Sequence, residues 1–465
     1  MKSLGRFAQR VKVQEAYKEG HLESLGELSI GPSLVFGRLW EELGTGRVLK
    51  GLLRDRSFEF DVERAVYMTV LHRLFESGSD RQGMRWGSGI WLPGAEDLHL
   101  HQVYRAMRWL GENKDKVEDG LFCAQRDLFT ELSLVFFDTT TLYFEGQGGK
   151  TLGQFGQSKD RRSDHRQVAV GALLTNTGRP ISCEVSPGDQ SDVRALLPLV
   201  DSTMERFGLR RVCWVADRGM VSREVIAGLE DRGMEYILGA RLRVVREVRN
   251  EVLSRPGRYR DVEENLKVKE VWVEDRRYVV CFNPLEAAKE KEDREVMLSA
   301  LEDKLKQDPK SLVGNRGYRR YLRVEGEAMS VDRKKASSEE RFDGKYVLGT
   351  NTTLSAEEVA VQYERLWMVE RFFRLAKDLL ETRPVYHKFD ETIRGHIFCS
   401  FLALLLCHEL MSRLEARGEK PEWSDVIRDL EALREVDVRH DDKRFRLRLP
   451  LQGVCGKVFQ AAGVA

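Results

Sequence analysis

A chain of 465 residues is long enough for roughly two to four domains with cores of their own. Its 76 basic and 75 acidic side chains leave a net charge of +1, so bulk charge neither requires nor excludes a nucleic-acid partner. Seven cysteines without a C-x-x-C pair argue against a disulfide framework and against structural zinc. The longest apolar run, Ile397 to Leu406, is far shorter than the roughly 20 residues of a membrane helix, and no signal-peptide pattern follows Met1. The expectation is a cytosolic protein with no membrane partner.

From Pro32 to about Lys116 the apolar periodicity is helical, and residues 1–120 read as an all-helical domain. At Leu132 the pattern changes to the β-branched and aromatic run LSLVFFDTTTLYFEG, followed by a hairpin turning at Asn176 to Gly178. A helix from about Asp192, a strand ending at Asp217, a helix from Ser222 and the strand EYILGA complete a first core segment, residues 121–240. Residues 241–344 break this rhythm with a hairpin, a charged helix from Pro284 to about Gln307 and a basic stretch, and read as an insertion. The core resumes over 345–412 with the strand KYVLGTN and a helix opened by the capping box Ser355 to Glu358. Residues 413–465 are expected to form a helical C-terminal region, mixed with the stretch FRLRLPL.

Chemistry concentrates at few positions. Tyr363, Glu370 and Lys377 repeat at sevens inside what reads as one long helix, so a hydroxyl, a carboxylate and an amine share a face that drifts by roughly 20° per step. Asp138 sits within a run so apolar that an ionised carboxylate there needs a partner or a metal. Asp217 ends an apolar strand, where open sheets with helical crossovers place ligands. If the strands are neighbours, Asp138, Asp217 and Glu370 form an oxygen-only cluster suited to Mg2+ or Mn2+. Two such ions can drive an in-line attack on a phosphodiester.

With these residues in view, the sequence resembles the DDE transposases of bacterial insertion sequences, in the branch marked by a Tyr, Arg, Glu, Lys signature. The likeness runs through FFDTTTLYFEG, GQSKDRRSDHRQ, SPGDQSD, WVADRGM, FDGKYVLGTN, YERLWMVERFFRLAK and GHIFCSFLALLL, in that order. It implies an α/β fold with a ribonuclease-H-like mixed sheet flanked by helices, interrupted by a β-rich insertion. It also implies that Asp138, Asp217 and Glu370 bind two Mg2+ or Mn2+ ions, while Tyr363 and Lys377 contact DNA phosphates. The partners would be the transposon terminal inverted repeats and target DNA, engaged by a dimer in a synaptic complex. Rival readings are a nuclease of the same fold without strand transfer, or an inactive, domesticated DNA-binding copy.

The signature arginine would fall at Leu366, and Arg374, one turn beyond Glu370, is the nominated substitute. Relatives often begin with a strand-rich segment, whereas this chain is expected to reach its helices almost at once. Lys159 and Arg162 lie in a basic stretch before a core strand, at a density suited to phosphates. In the insertion, Arg319 and Arg320 alternate with Tyr318 and Tyr321 as cations and stacking faces for a DNA end. Trp272 reads as packing, and His396 and His408 as satisfied core residues.

Overall fold

The computed structural model describes residues 23–125, 133–209, 212–307, 320–325, 328–440 and 443–464. The chain divides into two compact units, the first formed by Met1–Ser191, Pro198–Leu209 and Trp367–Ala465, the second by Asp192–Leu197 and Arg210–Leu366.

The first unit is organised around the helix Asp390–Ala416. The run IFCSFLALLL leaves that helix no polar face at its centre, so it is wrapped by the helices Gly31–Glu42, Val62–Phe75, Leu100–Glu112 and Cys455–Ala462. By length and composition it matches a membrane span, yet 72% of its most apolar window is buried inside the protein. Its approach to Leu100–Glu112 is backbone on backbone: a Cβ on Gly111 would lie 1.9 Å from the Glu391 carbonyl oxygen, and one on Gly395 1.9 Å from that of Met107. Only glycine fits at both positions.

His396 is a satisfied core histidine, as expected. Arg73 donates to its Nδ1 at 2.7 Å, and because arginine cannot accept, Nε2 carries the proton and donates to the Thr382 carbonyl at 3.0 Å. Burial, and then the charge of Arg73, push His396 well below its ordinary range and His72 down to about 4. Both rings therefore bind a proton more readily when the chain is unfolded. Their contribution to stability is full above about pH 6.5 and falls as pH drops toward the folded value, by about 1.4 kcal/mol per pH unit per histidine. The urea midpoint is expected to fall between about pH 7 and pH 5.5, and to fall less steeply in His396→Gln. A midpoint that is flat across that window would refute the assignment.

Also in this unit, β2 (Leu134–Tyr143), β3 (Gln167–Thr175) and β4 (Pro180–Pro187) form antiparallel pairs in the order β4-β3-β2. The expected turn between β3 and β4 holds Gly178 at φ +80. A second sheet differs from expectation. The strands β1 (Glu23–Ser29), β13 (Arg434–His440) and β14 (Lys443–Arg448) pair in the order β1-β13-β14, so neither end of the chain is purely helical. REVDVRH alternates charge with valine at period two, and β1 supplies its edge partner.

In the second unit, β5 (Cys213–Ala216) and β6 (Glu235–Ala240) are parallel and joined by the helix Arg223–Asp231, as read from the sequence. The strands β7 (Arg260–Glu263), β8 (Leu266–Val273) and β9 (Arg276–Phe282) come from the expected insertion. They do not stand apart from the core. The later strand β12 (Lys345–Thr350) lies between β6 and β9, antiparallel to both, giving the order β5-β6-β12-β9-β8-β7. Val271, Val273, Tyr278, Val280 and Val347 share one buried cluster, so the hairpin extends the sheet that the insertion interrupts in sequence.

The helix read as carrying Tyr363, Glu370 and Lys377 together is broken. The capping box of Ser355 with Glu358 is present, but that helix is Ala356–Glu364. A turn at 365–366 precedes Trp367–Arg374, and a π turn follows at Leu375–Leu379. The Leu366 amide bonds back to the Tyr363 carbonyl, an i to i+3 closure, while the Leu366 side chain is buried. Tyr363 thus belongs to the second unit, and Glu370 and Lys377 to the first.

Candidate active site

In β2, every side chain from Leu134 to Leu142 is buried except Asp138, whose side chain keeps 23% exposure. The Thr139 amide donates to its Oδ1 at 2.7 Å. Lys159 folds back onto the same strand: its Nζ donates to the Thr139 carbonyl at 2.6 Å and to the Thr139 hydroxyl at 2.8 Å, and lies 3.6 Å from Asp138 Oδ1. The helix Trp367–Arg374 packs on β2 and β3 through Val369, Phe372 and Phe373. It leaves Glu370 exposed, with no hydrogen-bond or ion-pair partner among the described residues. Arg374, one turn further, is also exposed.

Lys377 is nearly enclosed. Its Nζ donates to Asp160 Oδ1 at 2.8 Å, and the Arg383 guanidinium reaches the same oxygen at 2.6 Å. Burial lowers the Lys377 ammonium from its ordinary value, with Arg383 and Lys159 adding repulsion and Asp160 opposing. Neither Asp160 nor Arg383 was singled out from the sequence. Asp160 is hidden inside the basic run KDRR, and Arg383 follows the π turn, beyond the seven-residue pattern.

In the second unit, Asp217 follows the last residue of β5, as expected, and opens the short turn Arg218–Met220. Arg241 holds that turn by donating to the carbonyls of Arg218 at 3.1 Å and Gly219 at 2.9 Å. The Tyr363 hydroxyl donates to Asp217 Oδ1 at 3.0 Å. It passes over β6 where Gly239 offers no side chain; a Cβ there would lie 2.4 Å from the hydroxyl oxygen. Burial, then the Asp217 charge, push the Tyr363 phenol up, so the group stays a proton donor. Tyr346 stacks on its ring at 5.8 Å.

The other nominated contacts divide. Arg162 lies over the Tyr143 ring at 4.9 Å and pairs with Asp164 at 3.2 Å on an exposed loop. Arg320 pairs with Glu339. Arg319 and Tyr318 lie outside the described residues. Tyr321 is buried with Leu298, Leu301 and Ala336, so it offers no stacking face. Trp272, read as packing, is 56% exposed on β8.

A family model described as "Transposase DDE domain" matches residues 130–406, more than half of the chain, and the match spans Asp138, Asp217, Tyr363, Glu370 and Lys377. The chain belongs to the DDE transposase family. The transposase is therefore an enzyme that cuts DNA and transfers strands, and its family works with divalent metal ions. Its three antiparallel strands, followed by a parallel strand–helix–strand, fit the ribonuclease-H-like core that the resemblance implies. No curated protein matches its sequence significantly. Among solved structures, the piggyBac transposase synaptic complex with hairpin DNA aligns at 12% identity and a TM-score of 0.40, covering 86% of this chain and 79% of that one. The Mos1 transposase paired-end complex with left transposon end aligns at 13% identity and a TM-score of 0.17, covering 39% and 60%.

The donor chemistry of the transposase suits a hard cation. Asp138 keeps an accessible edge in an otherwise buried strand, Glu370 has no protein partner among the described residues, and Asp217 has its Oδ1 fixed by Tyr363. Among the described residues no group of three His, Cys, Asp or Glu side chains is gathered closely enough to hold a metal ion.

Proposed function

We propose that this protein cuts DNA at the terminal inverted repeats of its own element and joins the resulting 3′ hydroxyls to target DNA. It would act in the bacterial cytosol, as a dimer in the synaptic complex. Asp138, Asp217 and Glu370 are the acids that would hold two Mg2+ or Mn2+ ions, and such ions would supply activation of an attacking water or 3′-hydroxyl oxygen and charge neutralisation at the leaving oxygen. The observation that carries this reading is the accessible Glu370 carboxylate, without a partner among the described residues, in the same unit as Asp138 and on a helix packed directly against the strand bearing Asp138.

The remaining residues grip DNA. Lys159 presents its ammonium beside Asp138, and Lys377 presents its own from the π turn toward Asp160, where phosphates near the scissile bond would lie. Tyr363 would add a hydroxyl donor, and Arg374, Arg162, Arg319 and Arg320 would add guanidinium groups. The test is to incubate the full chain with Mg2+ and linear DNA ending in the element's repeats, together with a target plasmid. Joined product is expected, and it depends on the metal. Metal-dependent cleavage without joined product favours the nuclease reading, and binding without cleavage overturns the enzymatic one.

A further inference from the structure

We infer that Arg383 and Lys377 form a two-cation seat for one DNA phosphate beside Asp138, and that Asp160 is the positioning residue that holds the pair together. This rests on the reading of Lys377 as a phosphate contact and adds two residues to it. Three observations carry it. Lys377 and Arg383 converge on a single oxygen, Asp160 Oδ1, although Lys377 sits in the π turn and Arg383 in the segment that follows it. The second oxygen of Asp160 is buried without a hydrogen-bond partner among the described residues, so the carboxylate is spent on aligning two cations. Next to Asp160 in the chain, Lys159 is pinned to Thr139 and lies 3.6 Å from Asp138 Oδ1, which sets the cluster against the carboxylate proposed to hold metal.

The charge balance favours an anion. Lys159, Lys377 and Arg383 supply three positive charges against two negative ones, that of Asp160 and that of the exposed Asp378 carboxylate, which lies 3.4 Å from Arg383 Nη2, so the cluster stays net positive with Asp138 assigned to the metal. Lys377 and Asp160 keep only 11% and 10% side-chain exposure and Arg383 keeps 24%, so solvent screens the cations poorly while the guanidinium remains partly accessible. An ammonium has three donors and a guanidinium five, so the shared Asp160 oxygen and the long Arg383 contact to Asp378 still leave most of them for another acceptor. A phosphodiester presents two anionic oxygens that match a guanidinium edge and an adjacent ammonium.

The experiment is fluorescence anisotropy of the full chain against a duplex of about 30 base pairs of arbitrary sequence, over a salt series without divalent metal. Arg383→Ala is expected to weaken binding by about 5- to 10-fold near 0.1 M salt and to lower the slope of log affinity against log salt by about one. Arg383→Lys keeps the charge and the Asp160 pair. It should retain the wild-type slope with a smaller loss of affinity, and it serves as the readout if the alanine variant fails to fold. Asp160→Asn should weaken binding by a few fold at unchanged slope, because both cations remain but lose their alignment. If Asp160→Asn instead tightens binding, Asp160 competes with phosphate and its positioning role is overturned. If Arg383→Ala and Arg383→Lys both match the wild type while Lys377→Ala weakens binding, the seat is refuted and the active-site reading stands. If Lys377→Ala is also silent, that reading fails with it.

Discussion

Asp217→Asn is expected to abolish strand joining, by at least about 10³-fold, while leaving the fold and DNA affinity close to wild type. The magnitude follows from removing one of the proposed carboxylate ligands. Metal charge stabilisation is worth several kcal/mol in the transition state, and about 4 kcal/mol corresponds to about 10³ in rate. The fold should survive because asparagine preserves shape and keeps an oxygen that can accept from the Tyr363 hydroxyl, the contact that Asp217 Oδ1 makes at 3.0 Å. The Arg241 bonds to the carbonyls of Arg218 and Gly219 do not involve the carboxylate at all. Affinity for terminal-repeat DNA, read by anisotropy without metal, should be unchanged or slightly tighter, since a negative charge is lost near phosphate. A variant that still yields joined product within about tenfold of wild type removes Asp217 from the metal-binding set.

Glu118→Ala is the substitution expected to cost most stability, about 3–5 kcal/mol, because it removes the one buried carboxylate that two cations and two neutral donors share. Glu118 is 1% exposed. It accepts from the Cys183 amide at 2.9 Å, the Ser182 hydroxyl at 3.0 Å, Lys114 at 3.1 Å and Arg206 at 2.9 Å. Burial works against the charge of Lys114, yet the Glu118 carboxylate holds that ammonium above its ordinary range. Through these bonds the helix Lys114–Ala124 is tied to β4 and to the segment carrying Arg206. Removing the carboxylate leaves the Ser182 hydroxyl and the Cys183 amide without their acceptor in a low-dielectric setting and weakens the hold on Lys114, which keeps Asp115 at 2.7 Å, and on Arg206, which keeps Asp119 at 2.8 Å. Glu118→Gln, which keeps a carbonyl for Ser182 and Cys183 but loses the charge, should fall between alanine and wild type. Urea unfolding followed by tryptophan fluorescence measures the difference, and a loss below about 1 kcal/mol for alanine would show that the network relaxes or hydrates without it.

Much of the chemistry was legible in the chain. Asp138 declares itself because a carboxylate inside LVFF and LYF has to be justified, and the structure leaves it the one accessible side chain between Leu134 and Leu142. Asp217 was placed at a strand end by the apolar run before it and the glycine after it, and β5 indeed stops at Ala216. The seven-residue stripe was less secure. It assumed that YERLWMVERFFRLAK stays helical, whereas burial of Leu366 closes one turn early and a π turn takes up residues 375–379. Helical periodicity records which residues are apolar, not whether a buried leucine ends one helix and lets another begin.

The sequence by itself determined the antiparallel hairpins, the capping box and the family, since each of these depends on residues close together in the chain or on motifs in a fixed order. Only the tertiary structure decided that the insertion's strands extend the core sheet through β12, and that β1 pairs with a strand more than 400 residues away. It also decided that Lys377 shares Asp160 with Arg383. The physical reason is common to all three: hydrogen-bond partners across a sheet and counterions in a buried cluster are set by proximity in space, and local sequence patterns carry no record of it.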